Sequence, residues 1–477
     1  MMFNFDFSYL SLPKKFYAIT KPDLNPTAKV FILNDEICNK FNFTSNDKQR
    51  LISFLCSDIN HKKSYAQAYA GHQFGHFTNL GDGRAIIIGE HINLDNKRFD
   101  IQLKGGGLTK YSRNGDGKAT LGSMLKEYLF SEALHYLNIS SSRSLAVIKT
   151  GDIINRKLKE HGGILVRIMK SHIRVGTFEY ASYFGSSEDL KKITSYTINR
   201  LYPEINKFDN PTLALLDLVM HKQIDLVVDW IRVGFIHGVM NTDNTSISAE
   251  AFDYGPCAFI NAYDPEKAYS SIDYNCRYAF GNQSKILKWN ILRFAEALLP
   301  IIDHRKDKSI QLAEAIINKF DKVWEKKYYD MMLKKIGFDS NDILLYTLVD
   351  DLLLIMKNLK LDYTNTFNLL CQDNLDVNKI SSKTNFIQWY KKWTTNILKK
   401  KTLKEAKELM KKHNPIFIAR NHLVEEAIAK AVNGNIEPYN KLLEILSNPY
   451  QHRNGLEKFL KPPTQKYEES FRTYCGT

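Results

Sequence analysis

The order of apolar and polar residues along the chain predicts strands in its first half and helices in its second half. Residues 84–90 (RAIIIGE) and 99–105 (FDIQLKG) have the composition of strands, and the second segment alternates buried and exposed positions up to Lys104. Residues 121–137 (LGSMLKEYLFSEALHYL) place apolar side chains on one side of a helix. Two more strand-like segments follow, SLAVIKTGD and GGILVRIMK. The first half is therefore expected to form a β-rich lobe.

The second half of the chain predicts amphipathic helices joined by short loops. One long helical pattern begins at PTLALLDLVM, and ILKWNILRFAEALLPII is another clear case. The residues from 461 to 477 are expected to be extended or poorly ordered. The expected fold class is therefore α+β, with a β-rich, glycine-rich lobe followed by a larger and mostly helical lobe.

Composition and charge narrow the class of protein. The formal net charge of +14 suggests nucleic-acid binding, but lysine is spread along the whole chain and the lysine runs fall in amphipathic segments. We therefore expect no nucleic-acid partner. No apolar run is long enough for a membrane span, and the N-terminus resembles neither a signal peptide nor a transit peptide. Six cysteines without a CxxC pair are typical of a reducing compartment. A cytoplasmic monomer without a membrane partner is the resulting expectation.

Glycine is dense between residues 71 and 120, in the segments AGHQFG, LGDGR, LKGGG and NGDGK. Glycine allows the backbone to approach a phosphate group closely, which is one use for these segments. Taken singly, however, a Gly-Asp-Gly turn is more often a hairpin loop. The glycines therefore indicate a phosphate site only in combination with other residues.

Two later segments, HGVMNTDN at 237–244 and FDYG at 252–255, place acceptor side chains beside turn residues. Asp and Asn are common in turns for local hydrogen-bonding reasons, so two ordinary loops are one interpretation. The other interpretation is a Mg²⁺ site at the phosphates of a nucleotide, because carboxylate and amide oxygens are ligands that Mg²⁺ accepts.

The pattern of a protein kinase supports the nucleotide interpretation. Lys104 ends a predicted strand and Glu127 lies in the next helix, like the lysine and glutamate that position ATP in kinases. For this pair alone, a surface lysine and a solvated glutamate would be the simpler interpretation. Asn244 and Asp253 match the two metal ligands of a kinase. Val239, however, stands where a kinase has its catalytic base, and valine cannot accept a proton. The sequence therefore predicts a kinase-like site without the usual base.

Several long segments resemble one family. YAGHQFGHFTNLGDGRA, LKGGGLTKYSRNGDGKA, LVRIMKSHIRVGTFEY, FIHGVMNTDN, FDYGPCAFINAYDP, RYAFGNQ and NPIFIARN resemble the selenoprotein O family of pseudokinase-like protein adenylyltransferases. The likeness runs over nearly the whole chain and implies a bilobal, protein-kinase-like fold. We expect an N-terminal extension on the core (1–70), an N-lobe with nucleotide-binding loops (71–205), a helical C-lobe with catalytic and metal-binding loops (206–460) and a C-terminal tail (461–477).

The resemblance also implies an activity. Members of the family transfer AMP from ATP to hydroxyl groups of Ser, Thr or Tyr in protein substrates, with Mg²⁺ or Mn²⁺, and UTP with Mn²⁺ is a further implied donor. The nucleotide is expected to bind in reverse relative to kinases, so that its α-phosphate meets the acceptor. Asp243 would then accept the proton, while Asn244 and Asp253 would bind the metal ion. The residues expected to contact the nucleotide are Gly81, Gly83, Arg84, Lys104, Asp116, Gly117, Arg167, Arg174 and Asp253.

Two alternative functions stay open from the sequence. One is a conventional ATP-dependent phosphotransferase in which Asp243 replaces the missing base. The other is a non-catalytic, nucleotide-binding pseudokinase scaffold. The joint presence of Lys104, Glu127, Asn244 and Asp253 argues against the scaffold, because a protein that only binds nucleotide needs fewer of them.

The remaining cysteines and histidines carry weaker expectations. The resemblance implies a redox link between the terminal Cys475 and a cysteine after FDYG, for which Cys276 is the candidate. Two unrelated thiols in a reducing compartment are the alternative. The histidines do not have metal-binding spacing, and His237 is interpreted as a structural residue of its loop.

Overall fold

The structure is a computed structural model that describes residues 3–56, 62–339, 342–373, 377, 380–381 and 383–473. Its strands are β1 (Phe5–Asp6), β2 (Tyr17–Ile19), β3 (Lys29–Leu33), β4 (Tyr65–Gln67), β5 (Ala70–Gln73), β6 (His76–Asn79), β7 (Ala85–Ile92), β8 (Arg98–Lys104), β9 (Ala119–Thr120), β10 (Arg143–Asn155), β11 (Lys159–Met169), β12 (Phe235–Ile236) and β13 (Ala258–Phe259).

Helices dominate the chain after β11. They are α1 (Asp35–Lys40), α2 (Ser45–Cys56), α3 (Leu121–Tyr136), α4 (Val175–Phe184), α5 (Ser187–Leu201), α6 (Pro211–Val233), α7 (Gln283–Ile302), α8 (Lys306–Ile317), α9 (Phe320–Lys335), α10 (Tyr346–Leu359), α11 (Tyr363–Leu370), α12 (Thr384–Leu398), α13 (Leu403–His413), α14 (Asn421–Val432), α15 (Glu437–Leu446) and α16 (Gln465–Ser470). The predicted α+β class, with the β-rich lobe before the helical lobe, is confirmed.

Within the described residues, nine strands form one antiparallel sheet. Its order is β2-β4-β7-β8-β11-β10-β3, with β1 paired to β7 and β9 paired to β11. Strands from the first 33 residues therefore belong to the same sheet as the strands of the glycine-rich region. Two further pairs, β5–β6 and β12–β13, lie outside this sheet.

The sheet is buried on both faces because alternate residues face different hydrophobic cores. Ile88 and Val166 pack with residues of α1 and α2, whereas Ile87 and Leu165 pack with α3 and the helical lobe. Each such side chain contributes about 1.5–3 kcal/mol relative to exposure. This arrangement explains why the strand segments contain so many branched apolar residues.

Strand β8 corrects one expectation from the sequence. Its apolar and polar residues do alternate, but the polar positions are buried rather than exposed, Gln102 and Lys104 included. The reason is its place between β7 and β11, where Lys104 stands opposite Ala85 on one side and Leu165 on the other. A central strand can bury polar residues only when they are hydrogen-bonded or paired, and these are.

Helices α3 and α6 agree closely with the predicted patterns. Thr120 caps α3 by accepting a hydrogen bond of 3.3 Å from the backbone amide of Ser123. Asn210 caps α6, Pro211 occupies its first turn, and Gly234 ends it with a φ of 78°. Directly after Gly234, β12 pairs with β13 and so brings HGVMNTDN and FDYG together.

The C-terminal segment differs in part from the expectation. Residues Gln465–Ser470 form a short helix, so the tail is not extended throughout. Thr464 caps it by accepting from the backbone amide of Tyr467 at 3.3 Å, a local reason for helix formation. Cys475 lies outside the described residues, and the proposed pairing with Cys276 therefore stays a prediction. Among the helices described, none combines the length and the apolar character that crossing a bilayer requires.

Candidate active site

A cleft of about 580 Å³ lies between the sheet and the β12–β13 loops. It contains both backbone turns and charged side chains from distant parts of the chain. All of the residues that the sequence predicts for the site line this cleft, namely Gly81, Gly83, Arg84, Lys104, Asp116, Gly117, Arg167, Arg174, Asp243, Asn244 and Asp253.

Glu127 of α3 anchors two cations beneath the cleft. Lys104 at the end of β8 donates to Oε2 of Glu127 at 2.7 Å, and Arg167 of β11 contacts Oε1. Burial alone would raise the pKa of Glu127, but the charges of Arg167 and Lys104 lower it below its ordinary value. The lysine–glutamate pair expected from the kinase pattern is therefore present, and an arginine extends it.

Asp253 connects this network to the loop after β12. Its Oδ1 accepts from Lys104 and, at 2.5 Å, from Arg167. Burial opposes ionisation, yet the neighbouring Arg167 and Lys104 hold the pKa of Asp253 well below its usual range. The preceding residue, Phe252, is fixed by His237, which is buried and donates to its carbonyl oxygen at 2.9 Å. His237 thus has the structural role that the sequence indicates.

Asn244 and Asp253 have the donor atoms that a divalent cation needs. The side-chain amide nitrogen of Asn244 donates to the carbonyl oxygen of Val239 at 3.0 Å, so the atom that remains for a cation is Oδ1. Both cationic contacts of Asp253 use Oδ1, which leaves Oδ2 for a metal ion. Across the described residues, no cluster of three or more His, Cys, Asp or Glu side chains could hold a metal ion. A cation here would therefore complete its shell with phosphate oxygens and water, as Mg²⁺ commonly does.

The two carboxylate oxygens of Asp243 differ in their hydrogen bonds. Gln73 donates to Oδ2 at 3.4 Å, while Oδ1 is buried and has no hydrogen-bond partner among the described residues. Burial raises the pKa of this carboxyl to about 6, although the charge of Arg174 opposes the increase. Asp243 thus lines the cleft with a carboxylate that has few partners, while its Oδ1 is enclosed by the protein.

Arg174 is held in a fixed orientation by aromatic rings and backbone oxygens. Its guanidinium carbon lies 4.1 Å from the ring centroid of Tyr69 and 4.9 Å from that of Phe252. It donates to the carbonyl oxygens of His172 and Asp243, each at 3.1 Å. Stacking on aromatic faces fixes the plane of the guanidinium, and an arginine held in this way can offer paired donors to a phosphate group.

Two glycines of the cleft have conformations that other residues adopt rarely. Gly81 has a φ of 122°, and a Cβ there would overlap the ring of Tyr111. Gly117 has a φ of 71°, and a Cβ there would overlap the backbone of Gly107, whose amide donates to the Gly117 carbonyl at 3.1 Å. The two turns therefore need glycine for both conformation and space.

Nearly the whole length of the chain is similar to known proteins. The sequence model of the family described as "Protein adenylyltransferase SelO" matches residues 1–447. A protein nucleotidyltransferase YdiU from Pelagibacter ubique is 46% identical, with 99% of each chain covered. The proteins of the same name from Bacillus thuringiensis and Clostridium botulinum are 45% and 44% identical, with 99% of this chain and 98% of each relative covered. This chain belongs to the SelO family.

Membership in the SelO family confirms the resemblance found in the sequence and the enzyme class, a nucleotidyltransferase that acts on proteins. Among solved structures, a specific rhoptry antigen kinase domain from Toxoplasma gondii aligns with 61% of this chain and 88% of its own length. The sequence identity is 10% and the TM-score is 0.25, so this likeness carries no weight.

Asp116, in the NGDGK segment, has a partner that the sequence did not indicate. Arg156 binds its carboxylate with both terminal nitrogens, at 2.8 and 3.0 Å. Asp116 also accepts from the backbone amide of Lys118 at 2.9 Å. The carboxylate is thus engaged in shaping this turn at the mouth of the cleft. Arg156 itself belongs to a hairpin turn without a motif, so no sequence signal pointed to it.

The sequence analysis did not identify Asp82 as a residue of the site, although Asp82 lies inside the LGDGR motif. It is buried in the cleft wall, where it accepts from the amide of Gln67 at 3.1 Å and lies 3.6 Å from Arg174. Burial raises its pKa to about 6, against the charge of Arg174. Its place between two glycines, in a turn of the kind that binds phosphate, was the sequence feature that could have indicated it.

His72 and Glu179 form a second unexpected pair, behind the loop that carries Asp243. Nδ1 of His72 lies 2.5 Å from Oε1 of Glu179, and the backbone amide of His72 donates to the hydroxyl of Thr242 at 2.8 Å. Burial raises the pKa of Glu179 to about 7. The AGHQFG segment contains this histidine, but its partner is 107 residues away.

Proposed function

We propose that this chain transfers the AMP portion of ATP to hydroxyl groups of Ser, Thr or Tyr in protein substrates. The observation that supports the proposal best is the position of Asp243. Asp243 lines the same cleft as Lys104, Arg167 and Asp253, and Gln73 is the one side chain among the described residues that donates to its carboxylate. Val239 occupies the place of a kinase base, so Asp243 is the carboxylate available to the acceptor.

The nucleotide would be held by its phosphates. Lys104, Arg167 and Arg174 give the cleft a positively charged wall, and arginine offers paired donors to phosphate oxygens. The turns at Gly81 and Gly117 allow the backbone to approach the ligand. Arg84, Gly83 and Asp116 stay predicted contacts, because they line the same cleft.

Asn244 and Asp253 would hold a Mg²⁺ or Mn²⁺ ion. Their oxygens Oδ1 and Oδ2, respectively, are hard donors suited to such an ion. When bound, the ion would offset negative charge on the phosphates during transfer. The chain itself supplies the two ligands and the fixed cations of Lys104 and Arg167 that hold Asp253 in place.

In the transfer step, the acceptor hydroxyl oxygen forms a bond to the α-phosphorus of ATP. The bond between that phosphorus and the oxygen bridging to the β-phosphate breaks, and pyrophosphate leaves. Asp243 accepts the hydroxyl proton, so that charge and atoms balance. General-base catalysis of this kind contributes about 10²–10⁴-fold to a rate. The remaining acceleration would come from positioning and from the cations around the phosphates.

Labelling by the purified protein tests the proposal. ATP radiolabelled at the α-phosphate should label the protein itself or a protein acceptor in the presence of Mg²⁺ or Mn²⁺, and D253A should abolish the labelling. Asp95 is exposed and outside the cleft, so D95A is the matched control and should label normally. Labelling only from the γ-phosphate would overturn the proposal in favour of a phosphotransferase, and ATP binding without any labelling would favour the scaffold.

Three further expectations belong to the proposal. UTP labelled at the α-phosphate should act as a donor when Mn²⁺ is present. The cytoplasmic location and the monomeric state stay predictions from the sequence.

A further inference from the structure

A second groove, of about 590 Å³, lies beside the nucleotide cleft. Its walls are the turn of the β5–β6 hairpin, the segment that follows Asp253, and the first turn of α7. The residues that matter for its chemistry are Phe74, His76, Asp273, Arg277 and Lys285. We refer to this feature as the second groove.

The hairpin turn separates the second groove from the catalytic cleft. Gln73 lines the cleft and donates to Asp243, whereas the next residue, Phe74, lines the second groove. The amide of Phe74 donates to Oδ1 of Asn241 at 3.2 Å, and Asn241 lines the cleft. One turn thus contacts both cavities. A polypeptide whose hydroxyl group reaches Asp243 can therefore continue over this turn into the second groove.

The second groove is positively charged. The guanidinium of Arg277 lies 4.9 Å from the ring centroid of Trp289 and 5.8 Å from that of Tyr278, so aromatic faces fix its position. Among the described residues, no carboxylate lies within 4.0 Å of a nitrogen of Arg277 or of Lys285. Lys285 is exposed, as is His76 on the opposite wall. Two cations in this groove are therefore available to a ligand.

The carboxylate of the second groove is already engaged with the backbone. Asp273 accepts from the amides of Arg277 at 2.9 Å and of Tyr278 at 2.8 Å. These contacts fix the loop and direct the carboxylate of Asp273 towards the backbone amides. They also hold Arg277 in its place, because its own amide is one of the donors. The charge that the groove presents is consequently positive.

Beside the cations, the second groove has an apolar rim. The side chains of Ile272 and Tyr274 are 45% and 87% exposed. Large exposed apolar side chains next to fixed charges are typical of a surface that binds a polypeptide rather than a bare anion. The occupant that fits both features is a peptide segment with carboxylates and some apolar side chains.

Building on the proposed function, we infer that the second groove binds an acidic segment of the protein substrate next to its acceptor hydroxyl. Arg277 and Lys285 contact Asp or Glu side chains of that segment, and Tyr274 packs on its apolar residues. The hydroxyl then lies across the β5–β6 turn, at Asp243. Substrates are accordingly proteins in which acidic residues flank the modified Ser, Thr or Tyr.

Peptide binding tests this inference without requiring catalysis. Two fluorescein-labelled peptides would be compared, both with Phe in place of the acceptor Tyr, one flanked by glutamates and the other by glutamines at the same positions. In fluorescence polarisation the native protein should bind the glutamate peptide about tenfold more tightly than the glutamine peptide, and less so at high salt. The preference should disappear in R277Q/K285Q.

The control variant removes the same charges elsewhere. R305Q/K306Q changes one arginine and one lysine at the start of α8, and Arg305 is 64% exposed; this variant should keep the tenfold preference. K285E alters only an exposed side chain, so it tests the inference even if R277Q fails to fold, and it should weaken the preference for the glutamate peptide. R277K should retain the preference for glutamate.

Three results would overturn the inference. They are equal affinity for the two peptides, an unchanged preference in R277Q/K285Q, and tighter binding of a single-stranded oligonucleotide of equal charge, which would make the groove a nucleic-acid site. AMP transfer to the Tyr forms of the peptides would be measured separately. Binding with the expected preference but without transfer would count against the proposed function and leave the groove intact.

Discussion

Gln73 donates a hydrogen bond of 3.4 Å to Oδ2 of Asp243, whereas Oδ1 of the same carboxylate is buried without a partner among the described residues. An unpartnered buried acceptor costs free energy, so the fold keeps it only under strong constraint. In the proposed function, this carboxylate receives the proton of the acceptor hydroxyl.

Replacing Asp243 with asparagine should therefore remove catalysis while preserving the cleft. We expect D243N to lower the rate of AMP transfer by about 10²–10⁴-fold, the range typical of a lost general base. Binding of ATP, measured by calorimetry, should change little, because the amide keeps the size of the side chain. D95N is the matched control at an exposed position and should transfer AMP normally. Full activity in D243N would contradict the role of Asp243.

Removing Glu127 should destabilise the protein more than removing a glutamate at the surface. E127A leaves Lys104 and Arg167 with less negative charge in a buried network, a change that typically costs about 3–5 kcal/mol. E426A removes the partner of Lys430 on an exposed helix face, where the loss is typically about 0–1 kcal/mol. Denaturant unfolding monitored by circular dichroism measures both. Similar losses in the two variants would show that the network carries little stability.

Alanine at Gly117 should weaken ATP binding. The φ of 71° disfavours alanine by about 1–2 kcal/mol, and the added Cβ must displace the backbone at Gly107. Gly434 is the control, because its φ is also positive, at 96°, but nothing lies within 4 Å of a Cβ there. We expect G117A to raise the Kd for ATP about tenfold or more, while G434A loses only stability. An unchanged Kd in G117A would mean that this turn does not shape the nucleotide site.

The pair of His72 and Glu179 should make stability depend on pH. Burial raises the pKa of Glu179 from its ordinary 4.5 to about 7, so the folded state binds this proton more tightly than the unfolded state. The associated stability is present below pH 4.5 and is lost as the pH rises through 7. His72 acts in the opposite direction, because burial and the charges of Arg293 and Arg277 lower its own pKa, so its contribution to stability increases as the pH rises towards 6.5.

E179Q removes this titration and tests the assignment. As the pH rises from acidic to mildly alkaline, the free energy of unfolding of E179Q should increase by about 1–3 kcal/mol relative to that of wild type. Glutamine can still donate to Nδ1 of His72, so the contact is preserved. Urea unfolding at several pH values measures the difference, with E188Q on the exposed start of α5 as the control. Parallel curves for wild type and E179Q would rule out a titration at Glu179.

The local pattern of apolar and polar residues was sufficient to predict most of the strands and helices near the site. The strand that ends at Lys104 and the helix that carries Glu127 follow from short-range periodicity, and their pairing follows from the kinase pattern. In contrast, the burial of Gln102 depends on neighbouring strands that come from other parts of the chain. The partnership of Asp116 with Arg156 spans 40 residues and has no periodic signal.

The roles of the site residues are harder to predict from the sequence than their positions. Gly81, Lys104 and Asp253 lie in one cleft, as expected, but a glycine turn or a buried ion pair does not identify its ligand. The second groove could not be predicted either. Arg277 opens the RYAFGNQ segment, but that segment does not indicate a groove, and the significance of Arg277 depends on the aromatic rings that hold it and on the proximity of Phe74 to the cleft.

The placement of β2 and β3 has a consequence for how the protein folds and fails to fold. These strands follow each other in the chain, yet they form opposite edges of the sheet. Strand β3 pairs with β10, so it cannot join the sheet before residues beyond 140 have been synthesised. Unprotected sheet edges are templates for association between chains. Loss of the first 33 residues would leave β4 and β10 without their neighbours β2 and β3, so we expect the truncated chain to aggregate rather than to persist as an inactive monomer.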